Sequence, residues 1–216
     1  ANGPQALKPF LFAPHEAMWR AARDAQGKLC FSEILPAPEM LAVIGARACD
    51  VAALRLQDRH FLEGTFADPC YAARRKNLFL VAVHCTHPAE TCFCASTGDG
   101  PRATQGFDIA LSELDDGVLV EAGSDAGRAV AARLPLLAAT PSQKQSADNE
   151  VKKTTRRQTQ NLPSRNLRTT LFANLDHPRW EEVAGRCLSC GNCTSVCPTC
   201  FCHSEADTAA LDGSAS

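Results

Sequence analysis

The chain has 216 residues, 45% of them hydrophobic and 21% charged, with 13 glycines and 13 prolines. That mixture excludes a wholly disordered, collagen-like or coiled-coil chain, and the length fits one large domain or two small ones. The formal net charge is −2 and the isoelectric point about 6.3, so no global field draws the protein to nucleic acid or to an anionic membrane.

No apolar run approaches the length of a membrane span, and Ala1 to Phe12 lacks a basic start followed by an apolar stretch, so the expectation is a cytoplasmic protein. Opening on Ala1 and stopping in Leu211-Asp-Gly-Ser-Ala-Ser216, the chain reads as a fragment. Leu41-Ala-Val-Ile-Gly45 predicts a buried strand. From Val51 to Leu62, residues Val51, Leu54, Phe61 and Leu62 share one side of a helical wheel and Arg55, Asp58 and Arg59 the other, which predicts an amphipathic helix starting near Asp50. Leu78-Phe-Leu-Val-Ala-Val83 carries the strongest strand signal. Phe107 to Leu111 and Val118 to Glu121 predict a hairpin around Asp115-Asp-Gly117, and Ala126 to Leu134 a helix stopped by Pro135. The alternation predicts an α/β domain over residues 1–140. Cys30 and Cys70 stand alone and read as packing residues.

Residues 141–165 hold only Val151 and Leu162 as large aliphatics, the composition of a polar linker or a solvated helix. The basic side chains Lys144, Lys152, Lys153, Arg156, Arg157, Arg165 and Arg168 have no interleaved aromatic to stack on bases, so they read as a solvated face rather than a nucleic-acid patch. Leu167, Leu171, Phe172 and Leu175 have helical spacing. Asp176 has the chemistry of an N-cap, with Pro178, Glu181 and Glu182 in the first turn of a helix that leads to Cys187.

The 12 cysteines are bunched, which in a reducing compartment favours metal or redox chemistry over disulfides. Cys187, Cys190 and Cys193 stand at steps of three, Cys197 follows four later, and Pro198 comes at once after it. This is the bacterial ferredoxin pattern of a [4Fe–4S] cluster. Steps of three in a tight loop let three thiolates reach three corners of one cube, and Gly191 leaves backbone N–H groups free to approach its sulfurs. A structural zinc, which prefers two cysteine pairs across a longer spacer, and a disulfide knot are the alternatives. No second run of this type is present, so either Cys197 closes the local cluster or the chain stops before a partner run. Cys200 and Cys202 are additional: they ligate, gate redox chemistry or pack.

Cys85, Cys92 and Cys94 follow the strongest strand, and Cys49 precedes a helix whose N-terminus stabilises thiolate. These four predict a second cluster and must then converge in space. A zinc site using three of them with His84 or His87, and no metal at all, stay open as alternatives. Gly98-Asp-Gly-Pro-Arg-Ala103 formally fits a dinucleotide fingerprint, but Pro101 and the preceding cysteine loop make it a turn supporting that loop.

In this order, Gly45-Ala-Arg-Ala-Cys-Asp50, Phe61-Leu-Glu-Gly-Thr-Phe-Ala-Asp-Pro69, Tyr71-Ala-Ala-Arg74, Cys92-Phe-Cys94 with Gly98 to Pro101, and Pro178-Arg-Trp180 with Cys187 to Cys202 resemble the iron–sulfur β subunit of cytoplasmic hydrogenase/sulfur reductase complexes. The same family includes the iron–sulfur component of anaerobic sulfite reductase. The resemblance runs from about Lys8 to Cys202. It implies a non-catalytic electron-transfer protein with one to two [4Fe–4S] clusters in this chain and a further one in a full-length protein. Its implied partners are a hydrogenase or siroheme reductase subunit, together with a flavin/NAD(P)-binding subunit; no nucleic acid and no membrane span are implied. Family members carry a second ferredoxin-type run downstream, which this sequence lacks.

The expected architecture is therefore an α/β N-terminal domain bearing Cys49, Cys85, Cys92 and Cys94, a polar stretch at 141–165, and a mainly helical, incomplete ferredoxin-like segment at 166–216. After Trp180 the large apolar residues are few (Val183, Leu188, Val196, Phe201, Leu211), so that end is expected to depend on its cluster for order. The competing readings are a zinc-stabilised interaction or nucleic-acid-binding module and a self-contained flavin reductase.

Overall fold

The computed structural model describes residues 7–37, 39–163 and 166–208; Arg165 of the basic set and Leu211 lie outside the described residues. A short helix α1 (Lys8–Leu11) leads into an antiparallel hairpin of β1 (Trp19–Arg23) and β2 (Leu29–Glu33). Then come β3 (Leu41–Ala46), α2 (Ala48–Leu62), α3 (Pro69–Lys76), β4 (Leu78–Val83), α4 (Cys94–Thr97), β5 (Ile109–Leu114), β6 (Gly117–Ala122) and α5 (Asp125–Ala131). The remaining helices are α6 (Pro141–Arg157), α7 (Leu167–Phe172), α8 (Arg179–Gly185) and α9 (Asn192–Val196).

The main sheet has the order β3-β4-β5-β6, with β3, β4 and β5 parallel and β6 antiparallel to β5. Strand side chains alternate in direction, so Val43, Leu80 and Ala82 point to one face, where they join Val51, Leu54 and Phe61 of α2, Tyr71 of α3 and Leu11 of α1. This is the core. Each large aliphatic side chain fully buried there contributes about 1.5–3 kcal/mol.

Local chemistry fixes the helices that carry it. The carboxylate of Asp50 accepts the Arg47 N–H at 2.8 Å, which closes the first turn of α2 and starts the helix at Ala48. Cys49 thus lies inside that turn instead of ahead of it. Asp68 caps α3 by accepting the Tyr71 N–H at 2.9 Å, with Pro69 at the first helical position. The Tyr71 hydroxyl donates to Asp58 at 2.7 Å, and Arg75 binds the same carboxylate, tying α3 to α2.

The strand at 78–83 and the one beginning at Leu41 lie where the sequence places them. The hairpin is longer than expected, starts at Ile109 and turns at Asp115-Asp116. The helix expected to reach Leu134 ends at Ala131. In the polar stretch, a helix runs to Arg157, capped by Thr140 and Gln143, and it packs against β5 and β6 with Ala147 and Thr154 buried. Asp176 does not cap the following helix; Pro178 occupies that position and α8 starts at Arg179. Cys70 is buried as expected, but Cys30 is exposed on β2, so packing does not account for it.

Gly127 shows how closely α5 approaches the sheet. A Cβ there would stand 1.8 Å from the carbonyl oxygen of Asp108, a backbone atom that cannot swing aside. Gly127→Ala should therefore lose about 2 kcal/mol of stability despite alanine's better helix propensity, read as a lower Tm in thermal unfolding. An unchanged or higher Tm would show that α5 moves freely off Asp108.

Candidate metal centres

Two groups of cysteines come from different parts of the fold. The first is built by the sheet. Ala46 of β3 pairs with Ala82 of β4, and Cys49 and Cys85 each follow at the same remove past that pair. Loops at the C-terminal ends of adjacent parallel strands open on the same side, the usual place for a site in an α/β sheet. Cys92 and Cys94 return to this point through a loop whose base is fixed by the Cys85 N–H donating to the Pro101 carbonyl at 3.1 Å.

The glycine turn gives room for the sulfur of Cys94. A Cβ at Gly100 would meet Cys94 Sγ at 2.9 Å and Ala48 Cβ at 3.2 Å, so the bare backbone of Gly100 lies between the Cys94 thiol and the first turn of α2. The reading of 98–103 as a support for the cysteine loop agrees with this contact. Gly98 ends α4 with a left-handed conformation, φ 75°, that suits glycine.

Electrostatics tie the four thiols together. Burial first, and then the charges of Asp50, Cys94 and Cys85, together push the Cys49 thiol up to about 12. Burial also raises Cys85; Arg47 opposes it, and Cys94, Cys92 and Asp50 add to it. Cys49 is exposed as a residue, yet its thiol faces this group, and the expected thiolate stabilisation by the helix end is outweighed. Thiolates gathered in this way would be satisfied by the cationic core of an iron–sulfur cluster, each binding its own iron.

Sequence reasoning missed Gln158. Its side-chain amide donates to Cys94 Sγ at 3.3 Å and accepts the Ala95 N–H at 3.0 Å, so the residue capping α6 reaches the cysteine loop. Amide donors of this kind stabilise sulfur that carries negative charge. Nothing in a polar stretch of sequence marks one glutamine for that role.

The histidines do not join. His84 is buried, its Nε2–H donates to the Ala103 carbonyl at 3.3 Å, and its Nδ1 accepts from the Ser112 hydroxyl at 2.9 Å. Both ring nitrogens are thus in use, and burial lowers its affinity for a proton. His87 meets the Thr86 hydroxyl at 3.0 Å. Among the described residues no three His, Cys, Asp or Glu side chains stand close enough to hold a single ion, so the zinc site with His84 or His87 is not formed. A cube asks less of the thiols, because each ligates its own iron and sulfurs sharing one cube stand about 6–7 Å apart.

The second group is the run at the C-terminal end. Cys187, Cys190 and Cys193 are exposed and Cys197 is half-buried. Gly191 turns the chain with φ 70° and starts α9, which places Cys193 in its first turn. The Ser189 N–H approaches Cys187 Sγ at 3.4 Å, and the Thr199 hydroxyl lies 3.4 Å from Cys197 Sγ. Backbone and hydroxyl groups directed at sulfur are what a thiolate-ligated cluster requires around it. None of α7, α8 and α9 buries a residue, as a segment without its own core would show.

Cys200 is half-exposed and Cys202 exposed, so simple packing does not describe them. Phe201 between them does pack: its ring stacks on His60 at 4.2 Å and meets Phe61 edge-on at 5.1 Å. Hydrogen bonding from Cys202 lowers the proton affinity of the Cys200 thiol and raises that of its donor.

Residues 141–201 match the family described as a 4Fe-4S dicluster domain. Over 209 residues the chain is 32% identical to sulfhydrogenase 2 subunit beta of Pyrococcus furiosus, an alignment covering 93% of this chain and 58% of that protein. The chain thus spans little more than half the length of that curated relative. No solved structure matches. No helix among the described residues is long and apolar enough to cross a membrane. The resemblance carried by the cysteine motifs is supported along nearly the whole sequence: residues 141–201 match a 4Fe–4S dicluster domain, and most of the chain is similar to a sulfhydrogenase β subunit.

Proposed function

We propose that the chain is an electron-transfer component of a hydrogenase-type complex, holding one [4Fe–4S] cluster on Cys187, Cys190 and Cys193, with Cys197 closing it or serving a further cluster, and a second on Cys49, Cys85, Cys92 and Cys94. The observation that carries this reading is the Cys187–Cys197 run inside the matched dicluster segment. A bound cube supplies one-electron redox chemistry. The chain's residues do the rest: they present thiolates, direct N–H groups at sulfur, and hold the ferredoxin-type run at the surface where another protein of the complex can approach. Electrons would pass in the cytoplasm between two partners, one binding flavin and NAD(P), the other a hydrogenase or siroheme reductase subunit. The α/β part over 1–140 is the platform, 141–165 the connection, and the segment from 166 onward the cluster carrier.

The convergence of Cys49 and Cys85 at matched ends of β3 and β4 supports the second site. The test is iron and acid-labile sulfide in the full chain, reconstituted anaerobically. About eight irons per chain are expected from two cubes. Cys49→Ser should lower that to about four while leaving the ferredoxin-type cluster, and unchanged iron would exclude Cys49 as a ligand. A colourless protein that retains zinc would replace the relay with a zinc-stabilised module.

A further inference from the structure

Lys8 is an oddity of the fold. It sits on α1, far from the cysteine run in sequence, and is only 7% exposed. Its ammonium donates to the carbonyls of Thr194 at 2.6 Å and Cys197 at 3.2 Å. It makes no ion pair with a carboxylate among the described residues; the Phe12 ring stands 5.8 Å away, and its charge reaches the Cys200 and Cys202 thiols just past the run. A buried ammonium without a counter-charge is costly, and two carbonyl dipoles offset only part of that cost. On the neighbouring carbonyl Gln57, 1% exposed, donates to Pro198 at 2.5 Å, while its Oε1 has no hydrogen-bond partner among the described residues.

We propose that Lys8 is the counter-charge of the cluster held by the Cys187–Cys197 run, and that it sets the reduction potential of that cluster. This rests on the ferredoxin-type assignment above. A cube with four thiolate ligands is an anion, with net charge −2 when oxidised and −3 after gaining one electron. The missing negative charge beside Lys8 is therefore supplied by the group the run is built to hold. The ammonium stabilises the reduced form more than the oxidised form, because reduction adds a negative charge and no proton. At an effective dielectric of about 20, one unit charge close to the cluster biases that equilibrium by about tenfold. Lys8 is a positioning and tuning residue, acting through the main chain and through its field.

Arg55 and Arg59 lie on α2 as well, but they fall on its outer side and Arg55 pairs with Asp99. Gln57 provides the means to separate charge from docking. Gln57→Leu removes the bond to Pro198 together with the unpartnered Oε1, leaving the charge of Lys8 in place.

The experiment is a redox titration of the full chain with dithionite as electron donor, followed by electron paramagnetic resonance of the reduced clusters. The signal that disappears in Cys190→Ser identifies the ferredoxin-type cluster. Lys8→Met should lower its potential by about 59 mV, which is tenfold in a one-electron equilibrium. Lys8→Arg should restore most of that, and Gln57→Leu should shift it by less than half as much. If Lys8→Met loses the cluster while Lys8→Arg keeps it, the charge is again what matters. An unchanged potential in Lys8→Met, or equal shifts in Lys8→Met and Gln57→Leu, would overturn the proposal. If Cys190→Ser keeps all its iron and signals, the failure lies instead with the ferredoxin-type assignment.

Discussion

Replacing Cys190 with Ser is expected to remove about four irons per chain and the absorption that accompanies them. Cys190 stands between Cys187 and Cys193 in the run and just ahead of the Gly191 turn, where the step of three sets its corner of the cube. Serine keeps the size and polarity of the side chain but is a poor iron ligand at neutral pH, so the loss reports ligation rather than folding. The core, built from α1, α2, α3 and the sheet, does not touch Cys190, and circular dichroism should stay unchanged. Iron and acid-labile sulfide, measured against the same protein with Cys30→Ser, provide the check. Cys30 lies on the exposed hairpin with Asp24 and Lys28 as its contacts, and its replacement should cost no iron. Equal iron in the Cys190 and Cys30 variants would remove the ferredoxin-type assignment.

What the sequence made legible follows the strength of the physical signal. Leu78 to Val83 is a continuous apolar run because β4 is flanked by strands on both edges and buried in the sheet. The hairpin β1/β2 gave no such signal: β2 is exposed throughout, so its residues carry no alternation to read. The signal for α3 was present in Asp68-Pro69, a cap followed by a first-turn proline. The start of α2 was placed too late because its first turn is closed by Asp50 reaching back to Arg47, a bond that hydrophobic spacing does not report. Cysteines can be counted in a sequence, and strand ends bring Cys49 to Cys85. The polar residues that serve them cannot be found that way. Gln158, Lys8 and Gln57 act on a sulfur or on main-chain carbonyls distant in sequence, and a main-chain partner leaves no residue pattern.

Stripping the clusters should make the C-terminal segment the first part of the protein to be digested. Ordering a residue costs about 1–2 kcal/mol of backbone entropy, so roughly 35 residues from α7 to Cys202 require tens of kcal/mol. Against this the segment offers no buried side chain in α7, α8 or α9, and Leu171, Phe172, Leu175, Trp180 and Leu188 stay exposed. Its tertiary anchors are Lys8 to Thr194 and Cys197, Gln57 to Pro198, and Phe201 against His60 and Phe61. At about 1–3 kcal/mol per hydrogen bond and about 1 kcal/mol for the aromatic pairs, these sum to well under the cost. The remainder has to come from cluster ligation, as it does in small metal-dependent domains. Without clusters, trypsin should cut first at Arg168, Arg179 and Arg186 and leave a resistant N-terminal piece that still includes α6, because that helix is capped by Thr140 and packed on β5 and β6. With clusters bound, the same sites should be slower by orders of magnitude. If cluster-free protein resists cleavage at all three arginines, the order of this segment comes from packing against the α/β part, and its dependence on iron is wrong.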